Sequence, residues 1–369
     1  MGGRAREAAG DGAPPQAVFP GKDFRGRGAG GNPPNRFEPI HYEPDPECDD
    51  GEPPRTRLFR DPSRSIIAYN ESPDVGFDAS INPYRGCEHG CIYCYARPTH
   101  EYLGFSAGLD FETRILVKED APELLRRELS SLRWRPQVVA LSGNTDPYQP
   151  AERRLRVTRG CLQVFAEFRN PVAVVTKSEL VVRDADLLRE LARFDAAAVA
   201  LSITTIDAEL ARDMEPRASL PARRLAAIET LARAGVPAGV IVAPVIPGLN
   251  DHEIPAIITA AAAAGATFAG YIVLRLPHAV APLFEEWLER RRPERKAKVL
   301  NRIRAVRSGR LNDPRFGTRM KGEGPFADEI AQLFRLACRR AGVAQTRPML
   351  STAAFRRPGP AAPQLDLFT

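Results

Sequence analysis

From about residue 77 to residue 276 the chain alternates short apolar runs with longer amphipathic stretches. The runs are Phe77–Ile81, Val138–Leu141, Val172–Val175, Ala197–Leu201, Gly239–Val242 and Tyr271–Leu274, several of them rich in β-branched residues. Continuous apolar runs of this length predict strands buried on both faces, as in parallel sheets. Helical patterns separate them at Ala121–Leu132, Leu155–Phe168, Ala185–Phe194, Pro221–Ala234 and Ile254–Ala264. The first sets Leu124, Leu125, Leu129 and Leu132 along one side. Pro221 suits a first helical turn, where its missing N–H has no bond to lose, and Gly235 suits the position just past the helix end.

Strand and helix alternating in this way predict an α/β fold of parallel βαβ units with right-handed crossovers. Six units fall short of the eight that close a barrel. The pattern therefore points to a partial, open-sided (β/α)6 barrel, and a doubly wound sheet satisfies the same alternation. In both architectures chemistry belongs at the carboxyl ends of the strands.

The flanks read differently. Residues 1–60 are rich in Gly, Pro, Arg and Asp and predict a disordered or loosely packed segment. The barrel then spans 61–278, a basic helical extension 279–343, and a Pro- and Arg-rich tail 344–369. With 369 residues, 43% of them hydrophobic, the chain can bury a sizeable core. No apolar run reaches eighteen residues; the most apolar stretch, Ile254 to Gly270, is alanine-rich and contains Pro255 and Gly265. The start, Met-Gly-Gly-Arg-Ala-Arg, has no apolar signal core. The expectation is a cytoplasmic protein without membrane contact.

The net charge of +6 is concentrated. From Arg290 to Lys321 there are thirteen Lys or Arg against Glu294 and Asp313. Val299, Ile303 and Val306 fall on one helical face, and Arg295, Lys298 and Arg302 on another. The stretch reads either as a DNA-contacting footprint or as a solvated helix face.

Six cysteines do not make a disulfide framework in a chain of this size. Cys48, Cys161 and Cys338 are scattered and read as ordinary thiols. Cys87, Cys91 and Cys94 crowd into Asn82-Pro83-Tyr84-Arg85-Gly86-Cys87-Glu88-His89-Gly90-Cys91-Ile92-Tyr93-Cys94-Tyr95. Three thiolates on one short loop can converge on an inorganic cluster, because soft sulfur suits iron–sulfur centres. Gly86 and Gly90 let the backbone wrap closely. A four-iron cubane held by three cysteines leaves one iron open. The competing arrangement is a closed zinc site with His89 as fourth ligand, at a poor spacing for paired ligands.

This motif, on the loop after the first strand of a partial barrel, resembles the radical S-adenosylmethionine superfamily, over about Asn82 to Leu276. Within it the chain resembles the branch that contains spore photoproduct lyase and its bacterial relatives. The supporting pieces are Cys94-Tyr95, Ser142 to Tyr148, Thr176-Lys177-Ser178 and Ala243 to Asp251. The resemblance implies a [4Fe–4S] cluster on Cys87, Cys91 and Cys94 with S-adenosylmethionine chelating the open iron. One electron from an external donor would cleave the cofactor, and the 5′-deoxyadenosyl radical would abstract a substrate hydrogen. The substrate class it suggests is DNA in repair. RNA, protein or a small molecule is the alternative, and a non-catalytic iron–sulfur or zinc module is the reading of another class.

The resemblance also assigns roles. Tyr93 would border the adenine; Ser142, Gly143 and Asn144 would approach the methionine amino group. Lys177 would meet the cofactor carboxylate and Ser202 the ribose. Arg275, ending the sixth strand, can pair with a carboxylate or phosphate. Photoproduct lyases carry a hydrogen-donating cysteine beside the polar loop, yet Leu141 to Tyr148 contains none and Cys161 lies on the next helix. Tyr95 stands at a family position that can relay a hydrogen.

The chain ends Gln364-Leu365-Asp366-Leu367-Phe368-Thr369, which resembles the bacterial sliding-clamp-binding peptide. The proline-rich stretch from Arg347 to Pro363 would tether it at a distance. Burying Leu367 and Phe368 would contribute roughly 1.5–3 kcal/mol each before ordering costs. Calorimetry of the tail peptide with purified clamp is expected to give micromolar binding. An affinity unmoved by replacing Leu367 and Phe368 with alanine removes the clamp as a partner.

Overall fold

A computed structural model describes residues 22–38 and 54–358. The tail residues Gln364, Leu365, Asp366, Leu367 and Phe368 lie outside them, as does Cys48. In chain order the strands are β1 (Arg57–Arg60), β2 (Ile67–Tyr69), β3 (Ala79–Ile81), β4 (Tyr84–Arg85), β5 (Arg114–Val117), β6 (Val139–Leu141), β7 (Val172–Thr176), β8 (Ala197–Ser202), β9 (Ala238–Val245) and β10 (Phe268–Val273). The helices are α1 (Leu109–Thr113), α2 (Ala121–Ser130), α3 (Glu152–Leu155), α4 (Val157–Phe168), α5 (Ala185–Ala192), α6 (Ala208–Met214), α7 (Pro221–Arg233), α8 (Ile254–Ala263), α9 (Val280–Arg291), α10 (Pro293–Ala305) and α11 (Pro325–Ala341).

Six strands pair in parallel in the order in which the chain makes them: β3, β6, β7, β8, β9, β10. β2 adds antiparallel to β3 at one end. Sequential winding has no point at which strand order reverses, so the doubly wound arrangement is excluded and the partial (β/α)6 barrel is what forms. The order ends at β2 and β10 without joining them, which leaves the barrel open.

Most apolar runs become strands within a residue or two of their expected limits, and Pro221 opens α7 as expected. β10 differs, beginning at Phe268 rather than Tyr271. Phe268 pairs with Gly239, and a Cβ on Gly239 would come within 2.5 Å of it. That glycine makes room for the ring and starts the strand early. Leu132 also departs from expectation: Ser131 is extended, α2 has ended, and Leu132 is 91% exposed.

The helical extension closes the β10 side. Phe334 of α11 packs its ring 4.7 Å from that of Tyr271. Phe268 forms a parallel bridge with Ala344, and the Val273 N–H donates to the Met320 carbonyl. An open sheet edge thus gains a cover. α9 and α10 build a second core in which Phe284, Trp287 and Leu288 join Ile246, Leu274 and Leu276. Cys91, Ile92 and Tyr93 belong to this same core. No helix among the described residues is long and apolar enough to cross a membrane.

Two flanking stretches pack more closely than their composition implies. Residues 22–38 form a strap across the region that follows β4, with Ala29 buried. In the tail, Phe355 packs on Phe168, the Arg356 N–H and Nε donate to the Phe168 and Glu167 carbonyls, and Arg357 donates to those of Ser131 and Trp134. These arginines satisfy carbonyls left open where helices end. The expected tether from Arg347 is therefore held against the barrel as far as Pro358.

The basic stretch from Arg290 to Lys321 is largely spent inside the molecule. Arg291 and Arg292 reach Asp213, Arg302 reaches Asp251, Arg315 reaches Asp313 and Arg319 reaches Asp74. Arg307 is buried and donates to the carbonyls of Val273, Leu274 and Thr318. Arg295, Lys298 and Arg310 are left without a side-chain partner among the described residues.

Trp287 fills the core shared by the extension and the cysteine loop, and its indole N–H donates to the Asp213 carbonyl. Trp287→Ala is expected to cost about 3–5 kcal/mol, read from the urea midpoint. The variant is also expected to hold its iron more weakly than a surface-substituted control.

Candidate active site at the cysteine loop

The loop begins where β3 ends. β4 fixes its entry by pairing with β5, and the Cys87 N–H donates to the Phe111 carbonyl at 2.9 Å. Gly86 (φ 79°) and Gly90 (φ 68°) take left-handed conformations, which lets the backbone wrap closely as expected of these glycines. Gln149 spans the first turn: its Oε1 accepts from the Glu88 N–H and its Nε2 donates to the Gly86 carbonyl.

A buried arginine organises the rest. Arg97, wholly buried, donates to the carbonyls of Gly90, Cys91, Ala107 and Gly108 and pairs with Glu112. The Glu112 carboxylate also accepts the N–H groups of Gly28 (3.0 Å) and Ala29 (2.9 Å). The strap and the loop therefore share one buried carboxylate. They touch so closely that a Cβ on Gly28 would lie 1.8 Å from the Gly90 carbonyl oxygen.

Cys87 and Cys91 are buried, and Cys94 is partly buried and packs against the clusters that hold each of them. Burial pushes the Cys87 thiol well up, as do Asp146, Cys91 and Cys94 beside it. Cys91 and Cys94 are also raised by burial, while Lys177 attracts both as thiolates. The N–H groups of Asp146 and Ala96 donate toward the sulfurs of Cys87 and Cys94. His89 is committed elsewhere: its Nδ1 lies 3.4 Å from Asp146. Burial opposes the charge on Asp146, yet His89, the Lys177 N–H and Thr176 hold its carboxyl below the usual range. Left to themselves these thiols are held neutral by burial; a cation bound between them would release their protons, and soft sulfur donors suit an iron–sulfur cluster in that role.

Beside the thiols, at the carboxyl ends of β7, β8 and β9, lies a buried polar corner. Lys177 Nζ donates at 2.9 Å to Ser202 Oγ, Thr204 Oγ1 and the Ala243 carbonyl, lies 3.0 Å from Glu215, and sits 5.5 Å from the Tyr93 ring centre. The Tyr93 hydroxyl bonds to Thr204 and Glu215, and Arg224 pairs with Glu215. Tyr93, Lys177 and Ser202 are thus brought together, with the Lys177 ammonium and Ser202 hydroxyl already engaged. Thr204, Glu215 and Arg224 were absent from the sequence reading. Arg224 did carry a signal: on α7 it falls in the stripe of Pro221, Ala227, Ile228 and Leu231, where a cation needs a buried partner.

At the outer mouth, Ser142 has φ 127° and the Asn144 N–H donates to Asn82 Oδ1 at 3.0 Å. Tyr95 is 45% exposed; its hydroxyl donates to the Gly143 carbonyl, so one side chain joins the cysteine loop to the polar loop. The Arg275 guanidinium lies 5.4 Å from the Tyr95 ring centre. Its Nε is buried without a hydrogen-bond partner, and its Nη1 meets only the Met320 sulfur, at 3.8 Å. Cys161 is fully buried in the main core, on the helix layer.

A family model described as the Radical SAM superfamily matches residues 81–261, which include the three cysteines, Tyr93, Tyr95, Ser142, Gly143, Asn144, Lys177 and Ser202. An uncharacterized protein of Mycobacterium tuberculosis is 41% identical over 232 residues, covering 62% of this chain and 68% of that protein. An uncharacterized protein of Methanocaldococcus jannaschii is 31% identical over 173 residues, covering 47% of this chain and 62% of that protein. Among solved structures, a spore photoproduct lyase mutant superposes with a TM-score of 0.55 at 17% identity, covering 78% of this chain and 80% of that one. Spore photoproduct lyase complexed with dinucleoside spore photoproduct gives 0.54 at 17% identity, covering 77% and 79%. At these identities the likeness is one of fold.

Burial opposes the charge on Glu215, but Arg224 and Lys177 hold its carboxyl far below 4.5. Its stabilising contribution is therefore complete above about pH 4.5 and is lost as pH falls through the depressed folded value. Glu215→Gln strands Arg224 and is expected to cost about 3–5 kcal/mol at neutral pH, with a shallower loss of stability on acidification. Gly28→Ala is expected to preserve the far-ultraviolet circular dichroism while speeding the loss of bound iron. Unchanged iron retention would show that the strap does not brace the loop.

Proposed function

This chain belongs to the radical S-adenosylmethionine superfamily, and we propose that its cysteine loop and polar corner form a working radical-generating site whose substrate is DNA. Superfamily members use a [4Fe–4S] cluster and S-adenosylmethionine. The observation that carries the reading is that Cys91 and Cys94 lie within the electrostatic reach of Lys177, which sits beside the Tyr93 ring, with Cys87 next to them on the same loop.

Cys87, Cys91 and Cys94 would hold the cluster. When bound, it supplies the electron that cleaves S-adenosylmethionine and so a 5′-deoxyadenosyl radical for hydrogen abstraction. The chain's own residues hold and shield that chemistry. Arg97 and Glu112 fix the loop, and the N–H groups of Asp146 and Ala96 offset negative charge on the sulfurs. Tyr93, buried on Thr204 and Glu215, offers a flat wall for the adenine and keeps water from that side. Ser142, Gly143 and Asn144 frame the site for the methionine end. Lys177 and Ser202 can meet the cofactor by exchanging one of their present partners. Tyr95, half-exposed at the mouth, is placed to pass a hydrogen to or from a substrate radical.

The DNA reading has narrower support. Spore photoproduct lyase, whose fold this chain shares, is known in complex with dinucleoside spore photoproduct. Arg275 is partly exposed beside Tyr95, its Nη1 meets only the Met320 sulfur, and a phosphate at the mouth can pair with its guanidinium. The clamp-like tail would bring the enzyme to DNA, and Arg295, Lys298 and Arg310 can touch phosphates. The absence of a cysteine from the polar loop separates the chemistry from photoproduct repair after the radical is made. The hydrogen donor in this reading is Tyr95.

The dithionite-reduced, iron-loaded protein is expected to convert S-adenosylmethionine to 5′-deoxyadenosine, and Cys94→Ala to lose that activity by at least a hundredfold, or about 2.7 kcal/mol. No turnover by the parent leaves only a binding module. Damaged DNA is expected to stimulate turnover, with deuterium passing from the labelled lesion into deoxyadenosine. Arg275→Met should keep uncoupled cleavage while losing that stimulation. Stimulation by RNA, a peptide or a small molecule, and not by DNA, overturns the substrate assignment.

A further inference from the structure

An open cavity of about 560 Å³ borders the cysteine loop, walled by Arg25, Arg27, Arg55, Thr56, Glu88 and Arg217. Glu88 follows Cys87 directly in the chain and is buried at the cavity wall. Among the described residues four guanidinium groups meet here, with Glu88 in the wall and Glu112 also acting on Arg27. Arg217 pairs with Glu88 at 3.0 Å. Arg27 and Arg217 each reach the same Thr56 hydroxyl, at 3.2 Å. Burial and the closeness of Arg217 both bear down on the charge of Arg27. Arg25 and Arg55 are exposed and have no side-chain partner among the described residues.

Like charges gathered around one open cavity repel, and an anionic surface that closes over them relieves that repulsion. Its position supplies the second half of the argument. The radical-generating reaction needs one electron from outside, and the outer face of the Cys87–Gly90 turn lies against this cavity. Glu88 inside the wall disfavours a run of phosphates, which would approach the arginines closely and be repelled by the carboxylate. Spaced carboxylates on a protein surface can match Arg25 and Arg55 at the rim and leave the Arg217–Glu88 pair intact.

We propose that this basic cavity is the docking surface for a small acidic one-electron carrier protein, which reduces the cluster through the Cys87–Gly90 turn. The inference rests on the cluster-binding part of the function proposed above. In the step, the carrier's redox group gives up one electron and the cluster takes it; no covalent bond forms or breaks. The strap thereby acquires a second use. Arg25 and Arg27 bring the cations, while Gly28 and Ala29 lock the segment to Glu112.

The test uses the full, iron-loaded chain under anaerobic conditions, with a purified acidic [4Fe–4S] ferredoxin as the probe. Cluster reduction is followed by stopped-flow absorbance, with reduced ferredoxin in one arm and dithionite in the other. The double variant Arg25→Glu/Arg55→Glu alters only exposed, unpartnered side chains. Its ferredoxin-driven rate is expected to fall about tenfold or more and to lose most of its salt dependence. The dithionite-driven rate and the melting temperature should stay as in the parent, and Arg25→Gln/Arg55→Gln should fall between. An unchanged ferredoxin rate overturns the proposal. So does an equal fall in both arms, or a loss of duplex DNA binding without a change in the ferredoxin rate. A parent protein that is reduced but never cleaves S-adenosylmethionine would count against the catalytic reading alone, since the reduction rates still judge the docking surface.

Discussion

Everything at this site depends on a loop that has almost no repetitive hydrogen bonding of its own and must still hold three thiolates toward one point. The constraint is met by one buried ion pair. Arg97 reaches four carbonyls around the turn and the Glu112 carboxylate. A planar fork with five donors can satisfy converging acceptors that a lysine could not. A buried pair of this kind is weak evidence for net stability, because desolvation offsets much of its attraction. Its value here is geometric. It sets the path of the loop, and the Glu112 oxygens left over recruit the strap through Gly28 and Ala29.

The same logic recurs one layer away. Glu215, Arg224 and Lys177 form a buried group with two cations and one anion, joined to Tyr93 through its hydroxyl. Toward Cys91 the Glu215 anion weighs more than either Lys177 or Arg224, whereas toward Cys94 the cations Arg97 and Lys177 favour the thiolate. The engagement of Lys177 with Ser202 and Thr204 keeps its donors paired while it remains within reach of a carboxylate.

The barrel was legible in the sequence because a parallel strand buried on both faces must be a continuous apolar run, and these runs are. The cysteine loop was legible because its chemistry is written in residue type and spacing. What escaped notice was built from groups that hydrophobic patterning does not register. The strap buries only backbone and small side chains, so Gly28, Ala29 and Gly31 resembled loose linker. Glu215 and Thr204 are single polar residues at element ends, and only their convergence in space gives them meaning. The arginines of the extension were visible as charge but not as partners, since Asp213, Asp251 and Asp74 lie far from them in the chain. Ion pairs that keep contact with water contribute little stability each. Placed at three acidic residues of the barrel, they fix how the extension sits on it.

The mouth of the site bears on what kind of radical chemistry the chain can complete. Tyr95 closes the gap between the cysteine loop and the polar loop by donating to Gly143, and Arg275 covers its ring. The hydrogen bond to the Gly143 carbonyl must break before the phenol's hydrogen can leave, because an amide oxygen is too weak a base to take the proton. A cationic neighbour at the ring face disfavours a build-up of positive charge on an oxidised phenol, so proton and electron must leave together. The mouth therefore favours transfer of a whole hydrogen atom over stepwise oxidation of the tyrosine. Cys161 is sealed in the core, whereas Tyr95, at a position the family shares, stands exposed at the mouth. What sets this mouth apart from that of photoproduct lyases is the polar loop from Leu141 to Tyr148, which holds no cysteine.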